Sequence, residues 1–333
     1  MSRETVLEAL RRSGGTFLSG EELSRQLGLS RTAVWKAVDA LRRAGYDIEA
    51  RTGLGYRLAA APDVLTEPEI RSRLGSVARV GRNLVCLEEV DSTNNYAKTL
   101  AASGAPDGTV VVADGQTAGR GRMDRAFLSP KGKGIYLTAL LRPELPPERL
   151  MSVTAMAGVA VCQAVEEVCG VRPGLKWPND PILNGKKLSG ILTELSLEAE
   201  SGHLQYLVVG IGVNVSQTPE DFSPQVREIA TSLTQELRRP VGRCDLAAAE
   251  IRALDRLYGA LAAGDTAAYL ADYRSRCVNL GRQVQLIGPQ GRTRALALDV
   301  DDQFGLVVRL ESGAERVIRS GEVSVRGMSG YVE

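Results

Sequence analysis

The sequence predicts an α+β protein built from three parts. Three short helical patterns and a hairpin pattern occupy residues 1–60. Strand patterns then alternate with helical ones over residues 65–264, and strand patterns separated by turns fill residues 278–330. Strands that outnumber helices and adjoin through tight turns favour a mixed sheet over a doubly wound nucleotide-binding fold. We therefore expect a winged helix-turn-helix, a central mixed-sheet domain and a small C-terminal β-barrel.

Composition excludes several classes of protein. The chain has 333 residues, of which 44% are hydrophobic, so it can bury a sizeable core. Lys and Arg number 41 against 40 Asp and Glu, which excludes a protein coated in positive charge but allows a local basic patch. The five cysteines are scattered without a Cys-x-x-Cys pair, a pattern typical of reduced thiols rather than of disulfides or a zinc site.

The sequence predicts a cytoplasmic protein without a membrane segment. Arg3 and Glu4 interrupt any secretory signal at once, and no apolar region follows them. The most apolar long segment, residues 151–165, is short and contains polar residues, so it indicates a buried helix. His203 is the single histidine, so the sequence argues against a Ser-His-Asp triad and against a His-rich metal site.

Signals at both ends of two helices predict a helix-turn-helix at about residues 20–39. Ser19-x-x-Glu22 is a capping box, and Gly28 suits the residue that ends the helix. Ser30 is a second candidate cap, so the turn between the helices is very short.

Charge and a following hairpin favour DNA as the partner of this unit. Residues 1–60 carry ten Lys and Arg against seven Asp and Glu, a net charge of +3. A hairpin pattern around residues 52–55 predicts a wing. Near the start of the third helix, four side chains avoid its apolar stripe: Arg31, Thr32, Trp35 and Lys36. The alternative is a three-helix module that binds a protein and exposes a solvated basic face.

The central part contains no complete nucleotide-binding motif. The P-loop pattern is absent, and both Gly-x-Gly segments lack the third glycine of a dinucleotide fingerprint. A helix capped by Asp91 or Ser92 and a hairpin turning at Asn184-Gly185 are predicted on either side of a long apolar helix. Bound phosphates would therefore have to be held by arginine side chains and loop amides.

One run, residues 114–127, has a composition that suits this task. It combines Gly119, Arg120, Gly121, Arg122 and Arg125. Arginine grips a phosphate or carboxylate through two hydrogen bonds, and glycines let backbone N–H groups approach the anion. Such a loop could close on an anion and be disordered without it. The alternative is a solvated surface loop, or a segment that follows a nucleic-acid backbone.

A second polar cluster follows at residues 176–180. Lys176, Asn179 and Asp180 lie beside a proline-fixed turn, and Lys187 opens the returning strand. These groups are expected to converge on one pocket across the hairpin. The neighbouring Lys186 is expected to be solvated, and Trp177 is expected to serve packing.

Five short motifs in this order together resemble biotin protein ligases. They are "DSTN" at 91–94, "QTAGRGR" at 116–122, "KWPND" at 176–180, "KLSGIL" at 187–192 and "GIGVNV" at 210–215. With the N-terminal helix-turn-helix, the chain looks like the bifunctional form, in which ligase and biotin operon repressor share one polypeptide. The resemblance implies a biotin/lipoate-ligase-like central fold and an SH3-like C-terminal barrel.

The resemblance also implies a reaction and its partners. Biotin and ATP, with Mg²⁺, would form biotinyl-5′-AMP and pyrophosphate, and a lysine of a biotin carboxyl carrier protein would then attack the adenylate. Operator DNA would be bound by a homodimer that carries biotinyl-5′-AMP. Two alternatives remain open: a lipoate or octanoate ligase on the same central fold, and a biotin-sensing repressor without catalysis.

By resemblance, individual residues take roles in this reaction. Biotin would be bound by Ser92, Thr93, Asn94, Gln116, Arg120, Gly121, Arg122, Lys187, Gly190 and Gly210. Asn179 and Asn214 would lie on the adenylate side, and Lys187, Arg120, Arg122 and Asp180 would be catalytic. The protein itself is expected to supply no dedicated metal ligands, although Mg²⁺ could bind near Asp180. Arg31, Thr32 and Lys36 would contact DNA.

The Gly/Arg loop departs from the family pattern Gly-Arg-Gly-Arg-Arg-Gly-Arg-x-Trp. Here Met123 replaces an arginine, Asp124 replaces a glycine and Phe127 replaces the tryptophan. Asp124 near a phosphate would be repulsive unless an arginine pairs with it, so we expect weaker retention of biotinyl-5′-AMP than the family pattern would give. The alternative is that residues 123–127 face solvent.

Overall fold

The computed structural model describes residues 2–122, 125–144, 147–198, 203–288, 291–319, 324–327 and 331–332. The chain divides into two compact units, residues 1–64 and residues 65–333. The predicted central and C-terminal parts both lie in the second unit, and the limits set for the three domains stay predictions.

The first unit is the predicted winged helix-turn-helix. Its elements are α1 (Ser2–Arg12), α2 (Gly20–Leu27), α3 (Arg31–Arg43), β1 (Asp47–Arg51) and β2 (Gly55–Ala60). Both predicted caps are present, because Ser19 Oγ accepts from the Glu22 N–H at 3.0 Å and Ser30 Oγ accepts from the Ala33 N–H at 3.1 Å. Gly28 ends α2 in the left-handed conformation with φ 64°.

The core of this unit follows from helical spacing. Val34, Val38 and Leu41 lie on one face of α3 and are buried against residues of α1 such as Leu10. The antiparallel strands β1 and β2 form the wing, with Arg51 opposite Gly55.

A mixed five-stranded sheet forms the centre of the second unit. Its strands are β3 (Leu84–Leu87), β4 (Thr109–Ala113), β5 (Gly134–Leu141), β9 (Ser189–Leu197) and β10 (Leu204–Asn214), in the order β3-β4-β5-β10-β9. Strands β3 and β4 are parallel, and the other neighbours are antiparallel. This mixed sheet confirms the α+β prediction.

Helices cover both faces of this sheet, so its strands β4 and β5 are buried along their whole length rather than on alternate residues. The helices of the unit are α4 (Glu67–Leu74), α5 (Thr93–Ala102), α6 (Pro147–Cys169), α7 (Pro224–Arg227), α8 (Leu233–Leu237), α9 (Arg243–Ala263) and α10 (Ala267–Arg276). Val111 is buried against α5, whereas its neighbours Val110 and Val112 belong to the larger core that includes α6 and α9.

The long helix α6 is the predicted buried segment. Its stretch Ser152–Cys169 is the one described helical stretch long and apolar enough to cross a membrane, and 67% of it is buried inside the protein. Burial of this kind is typical of a core helix, because the apolar side chains pack against α9 and the sheet.

Two small sheets complete the second unit. Strands β6 (Gly174–Lys176), β7 (Asp180–Leu183) and β8 (Lys186–Lys187) form one, with the predicted turn at Asn184 (φ 48°) and Gly185 (φ 77°). The other is the C-terminal antiparallel sheet of β11 (Gln283–Gly288), β12 (Gly291–Val300), β13 (Leu306–Leu310), β14 (Glu315–Ile318) and β15 (Ser324–Gly327). Its inward side chains, such as Val284, share the large core with α6.

Candidate functional site

A single cavity of about 240 Å³ in the second unit is lined by every residue that the sequence analysis assigned to the ligase site. They are Ser92, Thr93, Asn94, Gln116, Arg120, Gly121, Arg122, Asn179, Asp180, Lys187, Gly190, Gly210 and Asn214. The start of α5, the Gly/Arg loop, the β7–β8 hairpin and the middle strands of the central sheet bring them together. Residues far apart in the sequence therefore lie around one cavity, and the roles assigned to them stay predictions.

Buried polar groups fix one end of the cavity, at the start of α5. The backbone N–H and the hydroxyl of Thr93 donate to Gln116 Oε1 at 2.8 and 3.0 Å. The Thr138 hydroxyl lies 2.7 Å from Asn94 Oδ1 and 2.9 Å from Thr93 Oγ1. Asn94 Nδ2 in turn donates to Glu194 at 2.8 Å. Ser92 precedes the helix as its N-cap residue but makes no side-chain capping bond.

Close packing at this end explains one predicted glycine. A Cβ atom at Gly210 would lie 2.1 Å from Asn94 Oδ1. Since real Cβ atoms do not approach an oxygen so closely, any larger residue would displace the Asn94 amide. Gly210 thus permits the polar network rather than merely adding flexibility.

The Gly/Arg loop folds back on itself above the cavity. Gly121 N–H donates to Arg125 O at 2.7 Å, and Phe127 N–H donates to Gly119 O at 2.9 Å. Met123 and Asp124, on which the predicted weak retention of the adenylate depends, lie outside the described residues. The predicted disorder of the loop without an anion stays a prediction.

Two of the three arginines of this loop, Arg120 and Arg122, lie near different ends of the cavity. Arg120 Nη1 lies 3.8 Å from Glu194 Oε1, beside the polar network. Arg122 lies close enough to Lys176, at the opposite end, for its charge to lower the pKa of that lysine. The loop therefore spans the cavity from one end to the other.

The Phe127 ring forms part of the cavity wall. A Cβ atom at Gly212 would lie 2.3 Å from this ring, and one at Gly190 would lie 3.0 Å from it. The ring therefore packs directly on the glycines of β9 and β10. This contact places an aromatic face where the family pattern has a tryptophan.

Positive charge gathers around one carboxylate at the far end of the cavity. Lys187 Nζ donates to Asp180 Oδ1 at 2.6 Å. Burial lowers the pKa of Lys176 to about 8, with Lys187, Arg326 and Arg122 acting in the same direction and Asp180 opposing them. Burial tends to raise the pKa of Asp180, but the charges of Lys187 and Lys176 outweigh it and hold that pKa below its ordinary value.

The two asparagines assigned to the adenylate side are buried and hydrogen-bonded. Asn179 Nδ2 donates to the Ile191 carbonyl at 2.7 Å, and Asn214 Nδ2 donates to the Thr231 carbonyl at 3.0 Å. Gln217 Nε2 donates to Asn214 Oδ1 at 3.2 Å. These amides hold the strands and loops that carry the cavity wall.

The lining does not fit a metal site built by the protein alone. No group of three or more His, Cys, Asp or Glu side chains that could hold a metal occurs in the part of the chain that the structure describes. Asp180 is the one carboxylate among the described lining residues, and its two oxygens accept from Lys187 and Tyr331. Mg²⁺ usually binds one or two carboxylates together with substrate phosphates, so here the phosphates of ATP would supply most of its ligands.

Several lining residues escaped the sequence analysis. Arg326 and Tyr331 come from the end of the chain, and Ile229 comes from the segment after α7. Thr138 and Glu194 complete the polar network without any motif of their own. These groups reach the site through contacts between distant parts of the chain, and local sequence patterns do not reveal such contacts. As predicted, Trp177 serves packing: it is fully buried, and its Nε1 donates to the Phe304 carbonyl at 3.0 Å.

In the first unit, the start of α3 presents an exposed polar face. Arg31, Thr32 and Lys36 are exposed, and 57% of the Trp35 side chain is exposed. Arg31 forms an ion pair with Glu21 at 2.5 Å, in which both partners are largely exposed. An exposed pair of this kind contributes little stability, so Arg31 can exchange Glu21 for another anion.

Comparison with known proteins agrees with both units. Residues 86–214 match the Biotin/lipoate A/B protein ligase family, residues 2–57 match an HTH domain, and residues 280–326 match the Biotin protein ligase C terminal domain. The chain is 37% identical to the bifunctional ligase/repressor BirA of Bacillus subtilis, over 95% of this chain and 96% of that protein. It is 29% identical to the protein of the same name from Escherichia coli, over 94% of each.

A solved structure shares the fold. The biotin protein ligase from Aquifex aeolicus in complex with biotin and ATP matches 74% of this chain and 99% of that one, with a TM-score of 0.63 and 31% identity. The alignment with the Bacillus subtilis protein covers nearly the whole chain and includes the N-terminal helix-turn-helix unit. The chain therefore belongs to the biotin/lipoate A/B protein ligase family, among its bifunctional biotin ligase/repressor members.

Proposed function

We propose that this protein joins biotin to ATP, forming biotinyl-5′-AMP and pyrophosphate, and then transfers biotin to a lysine of a biotin carboxyl carrier protein. The observation that carries the proposal is the cavity itself. It has a fixed polar network at one end and a cluster of positive side chains at the other. Such a cavity suits a ligand with a small polar head and an anionic tail.

In the first step, a carboxylate oxygen of biotin attacks the α-phosphorus of ATP, and pyrophosphate leaves. Negative charge concentrates on the phosphoryl oxygens, where Lys187, Lys176 and Arg122 line the cavity. Fixed positive groups at this place stabilise the transition state, because they need no reorganisation when the charge develops. Mg²⁺ would enter with ATP and neutralise its phosphates.

In the second step, the carrier lysine loses its ammonium proton to water and its neutral amine attacks the acyl carbon of the mixed anhydride. AMP leaves with the electron pair of the broken acyl–oxygen bond, and the new amide nitrogen releases its extra proton to water. We infer that Asp180 attracts this lysine, because it is the carboxylate among the described residues that line the cavity. A carboxylate whose pKa lies below its ordinary value stays ionised and suits binding a cation better than removing a proton.

We also propose that the first unit binds operator DNA when the protein carries biotinyl-5′-AMP and forms a homodimer. The exposed side chains at the start of α3 support this role, since the start of a recognition helix meets the base edges. A two-fold operator needs two copies of one helix-turn-helix. We also place the protein in the cytoplasm, because its five free cysteines are typical of a reducing compartment.

One assay tests the enzymatic part of the proposal. The full chain is incubated with ATP, Mg²⁺, radiolabelled biotin and a biotin carboxyl carrier domain, and labelled carrier is measured. Carrier without its acceptor lysine is the control. We expect label only on the intact carrier, whereas label from lipoate or octanoate but not from biotin would establish the alternative ligase. Biotin binding without any transfer would establish a sensor without catalysis.

A further inference from the structure

Tyr331, near the end of the chain, lines the cavity. The family match to the C-terminal domain ends at residue 326, yet Tyr331 lines the same cavity as the motif residues. Its hydroxyl donates to Asp180 Oδ2 at 2.5 Å, across 151 positions of sequence. The ammonium of Lys176 lies 4.2 Å from the centroid of its ring.

These contacts hold the Asp180 carboxylate from both sides. Lys187 Nζ donates to Oδ1 at 2.6 Å, and the Tyr331 hydroxyl donates to Oδ2. The terminal torsion of an aspartate is broad on its own, so one hydrogen bond alone leaves the carboxylate free to swing. The second bond removes that freedom, and it thereby fixes the position of the Lys187 ammonium.

The Lys187 ammonium, fixed in this way, has further N–H groups that can bind a ligand. A lysine ammonium carries three N–H donors, and Asp180 takes one of those on Lys187. The others are available to an anion in the cavity, which Lys187 lines. A small displacement of such a group strongly reduces the rate of a reaction that it stabilises.

We propose that Tyr331 is a positioning residue for adenylation: its hydroxyl locks Asp180, and Asp180 in turn locks Lys187 at the reacting phosphate. The inference rests on the proposed function and extends it to a residue outside the matched domains. It predicts a larger effect on the rate of the chemical step than on biotin binding, because Lys187 is one of many residues expected to bind biotin but is one of few positive side chains at the reacting phosphate.

The test compares two variants of the full chain, Tyr331→Phe and Tyr258→Phe. Both lose a tyrosine–aspartate hydrogen bond, but the Tyr258 hydroxyl lies 2.9 Å from Asp107, outside the cavity. Biotin-dependent ATP–pyrophosphate exchange gives kcat and the KM for biotin. We expect kcat of Tyr331→Phe to fall about tenfold, the size expected for one hydrogen bond to a charged group, with a smaller change in the KM for biotin. Tyr258→Phe should exchange like the wild type.

Three results would overturn the inference. They are an unchanged kcat in Tyr331→Phe, an equal loss in both variants, and a loss that appears in the KM for biotin instead of in kcat. A wild-type protein without biotin-dependent exchange would refute the proposed function itself and is thus a distinct outcome.

Discussion

Lys187 Nζ lies 2.6 Å from Asp180 Oδ1, and this ion pair forms the wall of the cavity at its positively charged end. The Lys187 side chain is 28% exposed and that of Asp180 is 17% exposed, so the pair is largely shielded from water. A half-buried pair keeps its geometry when an anion approaches, because the carboxylate anchors the lysine from behind.

Removal of Lys187 should therefore damage chemistry more than folding. In Lys187→Ala we expect the activation free energy of biotin-dependent pyrophosphate exchange to rise by about 1.5–3 kcal/mol, the size typical of one charge-assisted hydrogen bond. Lys186→Ala is the matched control, because its side chain is exposed and does not line the cavity. Full exchange activity in Lys187→Ala would exclude the role that we assign to this lysine.

The DNA-binding assignment makes a separable prediction. Residues 1–64 are a compact unit with a hydrophobic core of their own. Their deletion should abolish operator binding and leave part of the ligase activity, which filter binding and carrier labelling measure. Operator affinity that survived the deletion would show that another part of the chain holds the DNA.

Single variants refine this prediction. Lys36→Ala should weaken operator binding and, if Lys36 contacts a phosphate, reduce the slope of log K against log salt by about one. Arg31→Ala should also weaken binding. Arg43→Ala is the control, because Arg43 lies at the other end of α3 and pairs with Asp39. Equal salt slopes for wild type and Lys36→Ala would remove Lys36 from the phosphate contacts.

Local signals in the sequence predicted much of this structure. Caps at Ser19 and Ser30 and the turn at Asn184-Gly185 act within a few residues, so their chemistry can be identified from the sequence. The motifs identified residues that line one cavity, because the resemblance carries their three-dimensional arrangement, and the roles of these residues stay predictions. Tyr331 could not be found in this way, since its partner Asp180 is distant in sequence and the surrounding tail has no periodic pattern.

Biotinyl-5′-AMP should promote homodimerisation through the central sheet. Strand β9 is an edge strand, and its Leu195 and Leu197 side chains are 49% and 43% exposed. An exposed apolar edge is a ready template for pairing with a second copy. Sedimentation with biotin and ATP should show a dimer in the wild type and a monomer in Leu195→Asp, while Val317→Asp, on β14, dimerises like the wild type. A wild-type monomer that binds operator tightly with both ligands present would contradict this proposal.

Gly210 provides a steric test of the polar network. In Gly210→Ala the new methyl group would have to displace the Asn94 amide, which lies 2.7 Å from the Thr138 hydroxyl. We expect biotin affinity, measured by calorimetry, to fall about tenfold or more as these hydrogen bonds are lost. Gly259→Ala is the control, because a Cβ atom there meets nothing within 4 Å. That change should stabilise α9 by up to about 1 kcal/mol and leave biotin binding intact. An unaltered biotin affinity in Gly210→Ala would mean that the network does not hold biotin.

Glu250, in the middle of α9, predicts how stability depends on pH. Its side chain is buried, neither carboxyl oxygen has a hydrogen-bond partner among the described residues, and burial raises its pKa from 4.5 to about 8. Well below pH 4.5 the group is protonated in both the folded and the unfolded chain, so the free energy of unfolding does not depend on its titration there. Between pH 4.5 and about 8 the unfolded chain releases a proton that the folded chain retains, so the free energy of unfolding falls as pH rises. The total loss is on the order of 5 kcal/mol.

Glu250→Gln removes this titration, so its stability relative to the wild type should increase across that pH range. Denaturant unfolding at several pH values measures the difference. Glu315→Gln, which removes an exposed partner of Arg309, is the control and should change stability by less than about 1 kcal/mol at every pH. If the difference between Glu250→Gln and wild type were the same at pH 5 and at pH 8, Glu250 would have to be ionised in the folded protein, with a partner that stabilises its charge.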